Sequence, residues 1–344
     1  MPDKLTIISN ESISTDKGIF CCDNIELKSI PEGLSKNYEV LNIGRKSKVK
    51  RSFKINLIRT IVASNIFEFL FSIFKTFKNK ETKYLLISIS PYTFFASLLL
   101  IIFRKKFFVY IRSSGYEEYK YIIGFFGPFI YHIMFTIVSW KANFFSNSSY
   151  SLHGKSGIIV KPSRLNDKWF QSYQKPDLSK IKLLYVGRVK VEKGIFSLLK
   201  IFKNLDRTIH LSIVSAGLDN VNHNIKQENV SLIDHGNKDD SIIKIYDDHN
   251  IFILPSFTEG YSQVIDESLS RRRPVIIFKE ISHVVYSYRK GVFISERDSK
   301  SLSKTIKHII DNYHSIEKKI MENSYPTQKE FLKEISNIIS ENYV

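Results

Sequence analysis

The chain has 344 residues and a mass of 40.1 kDa, about twice the ~150-residue norm for one domain, so two domains are expected. With 43% hydrophobic and 25% charged residues the composition excludes a disordered chain, and 51 Lys+Arg against 34 Asp+Glu, a net charge of +17, favours an anionic partner: a phosphate-bearing ligand, an acidic membrane surface or nucleic acid. The two cysteines, Cys21 and Cys22, are adjacent, which excludes a disulfide framework and a four-ligand zinc site; with an opening MPDKLTIISNES that lacks a secretory signal, a reducing, cytoplasmic setting is expected.

In chain order, LTIIS reads as a strand, followed by a loop containing Gly18 and a helix, and YEVLNIG as a second strand ending at Gly44. From Arg45 to Arg59 seven residues are basic and none acidic, and the apolar, aromatic run INLIRTIVASNIFEFLFSIF overlaps and follows them. Two windows, Tyr84–Phe103 and Tyr121–Trp140, carry no charge over 20 positions, long enough to cross a bilayer. The first divides into a strand (YLLISIS), a turn at Pro91 and a helix of roughly ten residues (FFASLLLIIF), after which RKK leads into the strand FFVYIR. The second contains Gly124, Gly127, Pro128 and His132, poor residues for an isolated span. Buried or membrane-surface helices are therefore expected in place of true spans. The strand ANFFSNS precedes a polar stretch, Ser146 to Lys182, that reads as the interdomain linker region.

The second half repeats this rhythm. KLLYVG, HLSIVSAG, NVSLIDHG, IFILPS and PVIIF read as strands, with helices over GIFSLLKIFKNL and GYSQVIDESLSR. Such alternation calls for parallel sheets built from βαβ units, and so for two α/β domains, 1–160 and 161–326, with a ligand cleft between them at the carboxyl ends of the strands. Helix 327–342 is expected to return to the first domain. Residues 1–160 carry +11 of the charge and the remainder +6.

Two constellations carry chemistry. At one strand-to-helix turn, Gly187 and Arg188 precede Glu192, Lys193 and Gly194. Gly187 permits the turn, the helix start offers free N–H groups to a phosphate, and Arg188 and Lys193 add a forked donor and a mobile point charge, a set suited to a diphosphate. The alternative is a pair of solvated loop cations. The second constellation runs from Pro255 to Ser270. Glu259 and Glu267 are eight positions apart, the first on a loop and the second about two turns into the next helix, ~12 Å along its axis. One carboxylate can then meet the sugar end of a sugar nucleotide and the other its ribose, while Gly260, Tyr261 and Ser262 supply N–H groups for the phosphates between. A solvated helix glutamate is the alternative for Glu267.

VGRVKVEKGIFSLLKIF, then LPSFTEGYSQVIDESLS with PVI, resembles the retaining glycosyltransferases of family 4, of GT-B fold: two Rossmann-like domains with a nucleotide-sugar cleft between them. The resemblance covers nearly all of the second domain, and the first only in the order of its elements. It implies that Arg188 and Lys193 bind the donor diphosphate, that Glu259 contacts the transferred sugar and that Glu267 holds the ribose. Glu259, Arg188 and Lys193 are thus the candidate catalytic residues. Members of this family are metal-independent, and the chain has no Asp-x-Asp motif to hold a divalent ion on a diphosphate; no metal ligand and no cofactor are expected. The chain also departs from the family. A glycine that commonly ends the helix before the Pro-Val-Ile strand is here Arg272, within Arg271-Arg272-Arg273. The histidine often found after a first-domain strand is replaced in Tyr110–Gly115 by Arg112 or Ser113. Arg112 is either a ligand of the leaving phosphate or structural. The donor-side Gly-Gly loop is reduced to Gly18.

The expected activity is transfer of a sugar from a nucleoside-diphosphate sugar to an acceptor with retained configuration. The basic Arg45–Arg59 segment and the apolar run beside it resemble a membrane-surface helix with a basic flank. A peripheral place on the cytoplasmic face of an inner membrane, at an anionic lipid surface, and a lipid-linked saccharide acceptor are expected, as in assembly of O-antigen, lipopolysaccharide or capsule. Two other readings stand beside this one: a basic nucleic-acid-binding protein, although no zinc-finger, RRM or helix-turn-helix pattern occurs, and a non-catalytic sugar-nucleotide binder.

Overall fold

The computed structural model of the chain describes residues 2–57, 59–215, 227–234 and 239–341. It comprises two compact units, one running to Pro162 and completed by the residues from Lys329 onward, the other Ser163–Gln328. The ends of the strands read over HLSIVSAG and NVSLIDHG lie outside the described residues.

The first unit opens with β1 (Lys4–Asp16), β2 (Ile19–Cys22), α1 (Ile25–Leu34), β3 (Glu39–Lys46), β4 (Phe53–Ile55), β5 (Thr60–Ala63) and α2 (Ile66–Lys75). It continues through β6 (Lys83–Ile87), α3 (Pro91–Ile102), β7 (Phe107–Ile111), α4 (Gly115–Ile123), α5 (Gly127–Val138), β8 (Ala142–Ser146) and β9 (Ile158–Ile159). The parallel strands run in the order β5-β3-β1-β6-β7-β8-β9. β6 and β7 are buried along their whole length, which is why KYLLI and FFVYI are nearly unbroken apolar runs. The Tyr84–Phe103 window is a strand and a helix: Pro91 occupies the first turn of α3, and Ser90 and Thr93 cap it reciprocally. Among the described residues no helix is long and apolar enough to cross a membrane.

Two expectations for this unit need correction. β1 does not end in a loop before a helix. It shifts register between Ile8 and Ser12, stays parallel to β3 through Ile13 and from Ser14 pairs antiparallel with β2, which pairs with β4. Lys17 (φ 46°) and Gly18 (φ 78°) form the two-residue tip of that hairpin, a turn that needs positive φ at both positions. The apolar run after the basic segment is also not one helix. β-branched Thr60-Ile61-Val62 extends as β5, and Asn65 then starts α2 by accepting the Glu68 N–H at 2.9 Å.

The second unit contains β10 (Lys182–Val186), α6 (Ile195–Phe202), β11 (His210–Ser215), β12 (Val230–Asp234), α7 (Asp239–Asp247), β13 (Ile251–Leu254) and α8 (Gln263–Ser270). β14 (Val275–Phe278), β15 (Val292–Ser295), α9 (Ser299–Asp311) and α10 (Tyr313–Ile320) complete it. Its sheet is wholly parallel, ordered β12-β11-β10-β13-β14-β15. Successive strands add outward from β10 on one side and from β13 on the other, so the chain direction switches between these two neighbours. α11 (Gln328–Glu341) belongs to the first unit: Phe331, Ile335, Ile338 and Ile339, one stripe at helical spacing, join Leu5, Ile7, Leu27 and Ile30 in its core.

Candidate functional site

In doubly wound sheets ligands sit beyond the carboxyl ends of the strands where the strand order switches. In the second unit that point is the pair of loops after β10 and β13, and these loops carry Lys193 and Glu259. Lys193 Nζ donates to Glu259 Oε1 at 2.7 Å, and Ser256 Oγ donates to the same oxygen at 2.6 Å. The two charged side chains are 22% and 10% exposed, so the pair is largely sheltered yet reachable.

The loops are braced by backbone contacts. Phe257 N–H donates to the Glu192 carbonyl at 3.0 Å. Gly194 has φ 68°, and a Cβ there would fall 1.8 Å from the Pro255 carbonyl oxygen, so only glycine permits this approach. Arg297 donates to the carbonyls of Pro255 (2.9 Å) and Ser256 (3.2 Å), and its guanidinium lies 4.2 Å over the ring of Phe257. His283 Nε2 donates to the Glu259 carbonyl at 2.8 Å. The helices that follow, α6 after Gly194 and α8 after Ser262, lack a side-chain cap at their amino ends. Lys193 and Glu259 thus meet at one point, each shortly before a helix start without a side-chain cap, an arrangement that can take a diphosphate and an adjoining sugar.

The other donor-site residues lie as follows. Gly187 follows β10, its N–H donating to Val214 O at 2.9 Å, while a Cβ there would come within 2.8 Å of the Tyr185 hydroxyl. That hydroxyl donates to the Arg188 carbonyl at 2.8 Å, and burial drives its pKa far up. The Arg188 side chain is exposed. Gly260 is half-buried, and Tyr261 and Ser262 are buried beyond it. Tyr261 donates to Asp266 at 2.7 Å; Asp266 also receives Arg289 at 2.7 and 2.8 Å, and that guanidinium lies 4.6 Å over the Tyr261 ring. This cage fixes the loop between Glu259 and α8.

Glu267 is not a solvated helix residue. Its side chain is 1% exposed; Arg164 Nε donates to Oε1 at 3.0 Å and the Tyr246 hydroxyl to Oε2 at 3.0 Å. The arginine triplet resolves into three roles. Arg272 takes φ 60°, so the left-handed turn is formed without glycine, and its guanidinium stacks 3.8 Å over Tyr173. Arg271 is buried with all five N–H groups used, on Asp247 (2.9 and 2.7 Å) and the carbonyls of Trp169, Gln171 and Ser172. Arg273, also buried, donates to the carbonyls of Tyr246, Arg271, Gln174 and Asp247.

In the first unit Arg112 and Ser113 follow β7. Both Nε (3.0 Å) and Nη2 (2.9 Å) of Arg112 bind Glu26 Oε2, and the Tyr110 hydroxyl donates to the other Glu26 oxygen at 2.9 Å. Ser113 donates to Glu118. Nearby, burial raises the Glu11 carboxyl above the usual range against the opposing pull of Arg112. Ser114 Oγ lies 3.2 Å from His153 Nε2. Gly18 is distant from this group in kind: it is an exposed hairpin tip with nothing within 4 Å of an added Cβ. Of the Arg45–Arg59 cations, Arg45 donates to Asn10 O (3.1 Å), Arg51 pairs with Asp23 and Arg59 with Glu39. Among the described residues no three His, Cys, Asp or Glu side chains gather as a metal site.

Arg297, His283, Ser256, Arg164 and Tyr246 were not singled out by the sequence. Ser256 finds its partner Glu259 three residues on in the same loop, whereas the site partners of the other four lie at least 21 residues away, where no local spacing announces them.

Residues 180–312 match the family model of glycosyl transferases group 1. A capsular polysaccharide biosynthesis glycosyltransferase, CapM of Staphylococcus aureus, is 25% identical over 170 residues, 46% of this chain and 44% of that protein, so the match spans less than half of the relative. Sucrose-phosphate synthase from Thermosynechococcus elongatus aligns with 98% of this chain and 97% of its own at TM-score 0.65 and 15% identity. HepE of Anabaena, solved in complex with UDP and glucose, aligns with 98% of this chain and 99% of its own at TM-score 0.72 and 13% identity. The fold is therefore that of the GT-B glycosyltransferases, two α/β units with parallel sheets, and the family match over the second unit supports a group 1 glycosyltransferase.

Proposed function

We propose that the protein is a retaining glycosyltransferase that moves a sugar from a nucleoside diphosphate to an acceptor hydroxyl. The observation that carries this reading is the Lys193–Glu259 pair at the switch point between β10 and β13, beside the uncapped starts of α6 and α8. Lys193, Arg188 and the two helix ends would hold the diphosphate and stabilise the charge that develops on it, the main electrostatic contribution available. Glu259, fixed by Ser256 and His283, would receive hydroxyls of the sugar. The bond from the anomeric carbon to the phosphate oxygen breaks as the bond to the acceptor oxygen forms on the same face. The acceptor proton passes to an oxygen of the departing phosphate, releasing the nucleoside diphosphate. Glu267, its carboxylate engaged by Arg164 and Tyr246, would hold the ribose. The ion pair of Arg112 with Glu26 favours a structural part for that arginine.

HepE holds UDP, which makes UDP-sugars the first donors to test. The likeness to a capsular polysaccharide glycosyltransferase favours a surface-polysaccharide acceptor, and the charge excess of residues 1–160 suits one that is lipid-linked and presented at the cytoplasmic face of a membrane. Nucleic-acid binding is not favoured, because it leaves the Lys193–Glu259 site without a purpose. The test is turnover of a panel of nucleoside-diphosphate sugars with Lys193→Ala beside the parent. A loss of kcat/KM of at least about tenfold, ~1.4 kcal/mol of transition-state binding, is expected. Unchanged kinetics would remove Lys193 from the site.

A further inference from the structure

In the first unit α2, α3 and α5 cover one face of the sheet, with Phe69 and Ile73, Ala96 and Leu100, and Phe135 and Val138 turned into the core. A helix that faces water carries polar residues on its other side. Here large apolar side chains dominate the outward side, and Glu68 and Lys75 on α2 and His132 on α5 are its exposed polar residues. On α2 the outward positions i, i+4 and i+7 are Phe67, Phe71 and Phe74, exposed by 81, 56 and 43%. On α3 the outermost residue, Ile102, is 71% exposed. On α5 Phe129 and Ile133 follow the same spacing, and Trp140 just beyond is 73% exposed, while Phe125 at the α4–α5 turn reaches 90%. An apolar layer of three neighbouring helices left open is far more than scattered surface hydrophobics.

Charge is distributed around this layer in a definite way. β6, β7 and β8 are parallel neighbours, so the helices that return between them end at the amino edge of the sheet. There α2 leads into Lys75, Lys78 and Lys80, α3 into Arg104, Lys105 and Lys106, and α5 into Lys141, with Glu81 the one acid in these connections. Lys75 Nζ lies 4.4 Å from the centre of the Phe71 ring and Lys105 Nζ 5.5 Å from that of Phe77, aliphatic stems laid along aromatic surface as at a lipid boundary. A second copy of the chain is a poor occupant, because residues 1–160 already carry +11 and would meet their like.

We propose that the outer face of α2, α3 and α5, with the cations at their carboxyl ends, docks this protein on an anionic lipid bilayer. The aromatic side chains enter the interfacial layer and the cations meet the headgroups, without any spanning segment. This deepens the lipid-linked acceptor reading by naming the surface that brings the enzyme to such a substrate. It also moves the membrane contact away from Arg45–Arg59, where three cations are tied within the unit.

The test is flotation of the full chain, at physiological salt, with vesicles of phosphatidylcholine and of phosphatidylcholine mixed with phosphatidylglycerol. Binding to the mixed vesicles is expected. The exposed pair Phe71→Ser and Phe129→Ser should abolish it, and Lys78→Gln, Lys80→Gln and Lys141→Gln should weaken partitioning about fivefold for each cation removed. Lys46→Gln, Lys48→Gln and Lys50→Gln together, at the other basic segment, should leave it nearly unchanged. Absence of binding to mixed vesicles would overturn the proposal, as would an equal loss in that control set. A dimer in solution that the serine pair converts to monomer would make a second copy the occupant. Thermal stabilisation by UDP reports the donor site separately: lost nucleotide response with intact flotation would sink the transferase reading and leave the docking surface standing.

Discussion

The Lys193 ammonium donates to Glu259 at 2.7 Å. A hydrogen bond between charged groups nets about 1.5–3 kcal/mol, and with the lysine 22% exposed the lower end applies. A diphosphate must share the ammonium with that carboxylate. Glu259→Gln removes the competitor while Ser256 can still donate to the amide oxygen, so the nucleotide should gain up to ~1.5 kcal/mol, or about tenfold in Kd. The same change should abolish most turnover, because the sugar loses its carboxylate partner. Lys193→Met should weaken nucleotide binding by about tenfold. The double variant should bind no better than Lys193→Met alone, since no lysine remains to be released; the two changes are coupled and not additive. The assay is titration calorimetry with UDP at fixed physiological salt, with Glu192→Gln as a control for loss of any nearby negative charge. Unchanged or weaker binding in Glu259→Gln, or additive effects in the double variant, would refute the reasoning.

Arg271→Met should destabilise the second unit by about 3–5 kcal/mol, since it strands buried Asp247 and three carbonyls; denaturant unfolding of the two proteins measures it. Arg272→Gly, one residue on, should stay within ~1 kcal/mol of the parent, because relief at φ 60° offsets the lost stacking on Tyr173. Gly194→Ala should remove both stability and nucleotide response, as its Cβ cannot coexist with the Pro255 carbonyl; thermal melts with and without UDP read both. Burial lowers the pKa of His249, so the folded state prefers the neutral ring. The unfolded chain then takes up the proton first, and stability should fall as pH drops through about 6.5 and level off below the folded-state pKa. Melting temperatures across that range should show a smaller drop in His249→Gln.

Much of the fold is legible in the sequence. The alternation of strands with helices predicted two doubly wound units, because an apolar strand run and a 3.6-residue stripe are local patterns that burial imposes. YLLISIS and FFVYIR read as strands, and Pro91 reads as the break that turns a 20-residue apolar window into a strand and a helix; the structure has β6 over KYLLI, β7 over FFVYI and α3 from Pro91. The loops bearing Lys193 and Glu259 were visible because glycines and charged residues cluster where backbone must turn toward a phosphate. Other features were decided only in three dimensions. That Lys193 meets Glu259, 66 residues later in the chain, follows from β10 lying beside β13, and strand order is not written in any local pattern. Glu267 could be solvated or ligand-bound by spacing alone; Arg164 and Tyr246, both remote in sequence, bury it. Arg272 shows the limit from the other side, since the left-handed turn survives without glycine once Tyr173 supports the side chain. The apolar residues of α2, α3 and α5 read equally as core or as surface. Helices only ten to twelve residues long have two sides, and the sheet takes one of them; the fold alone determines that the other is left facing out.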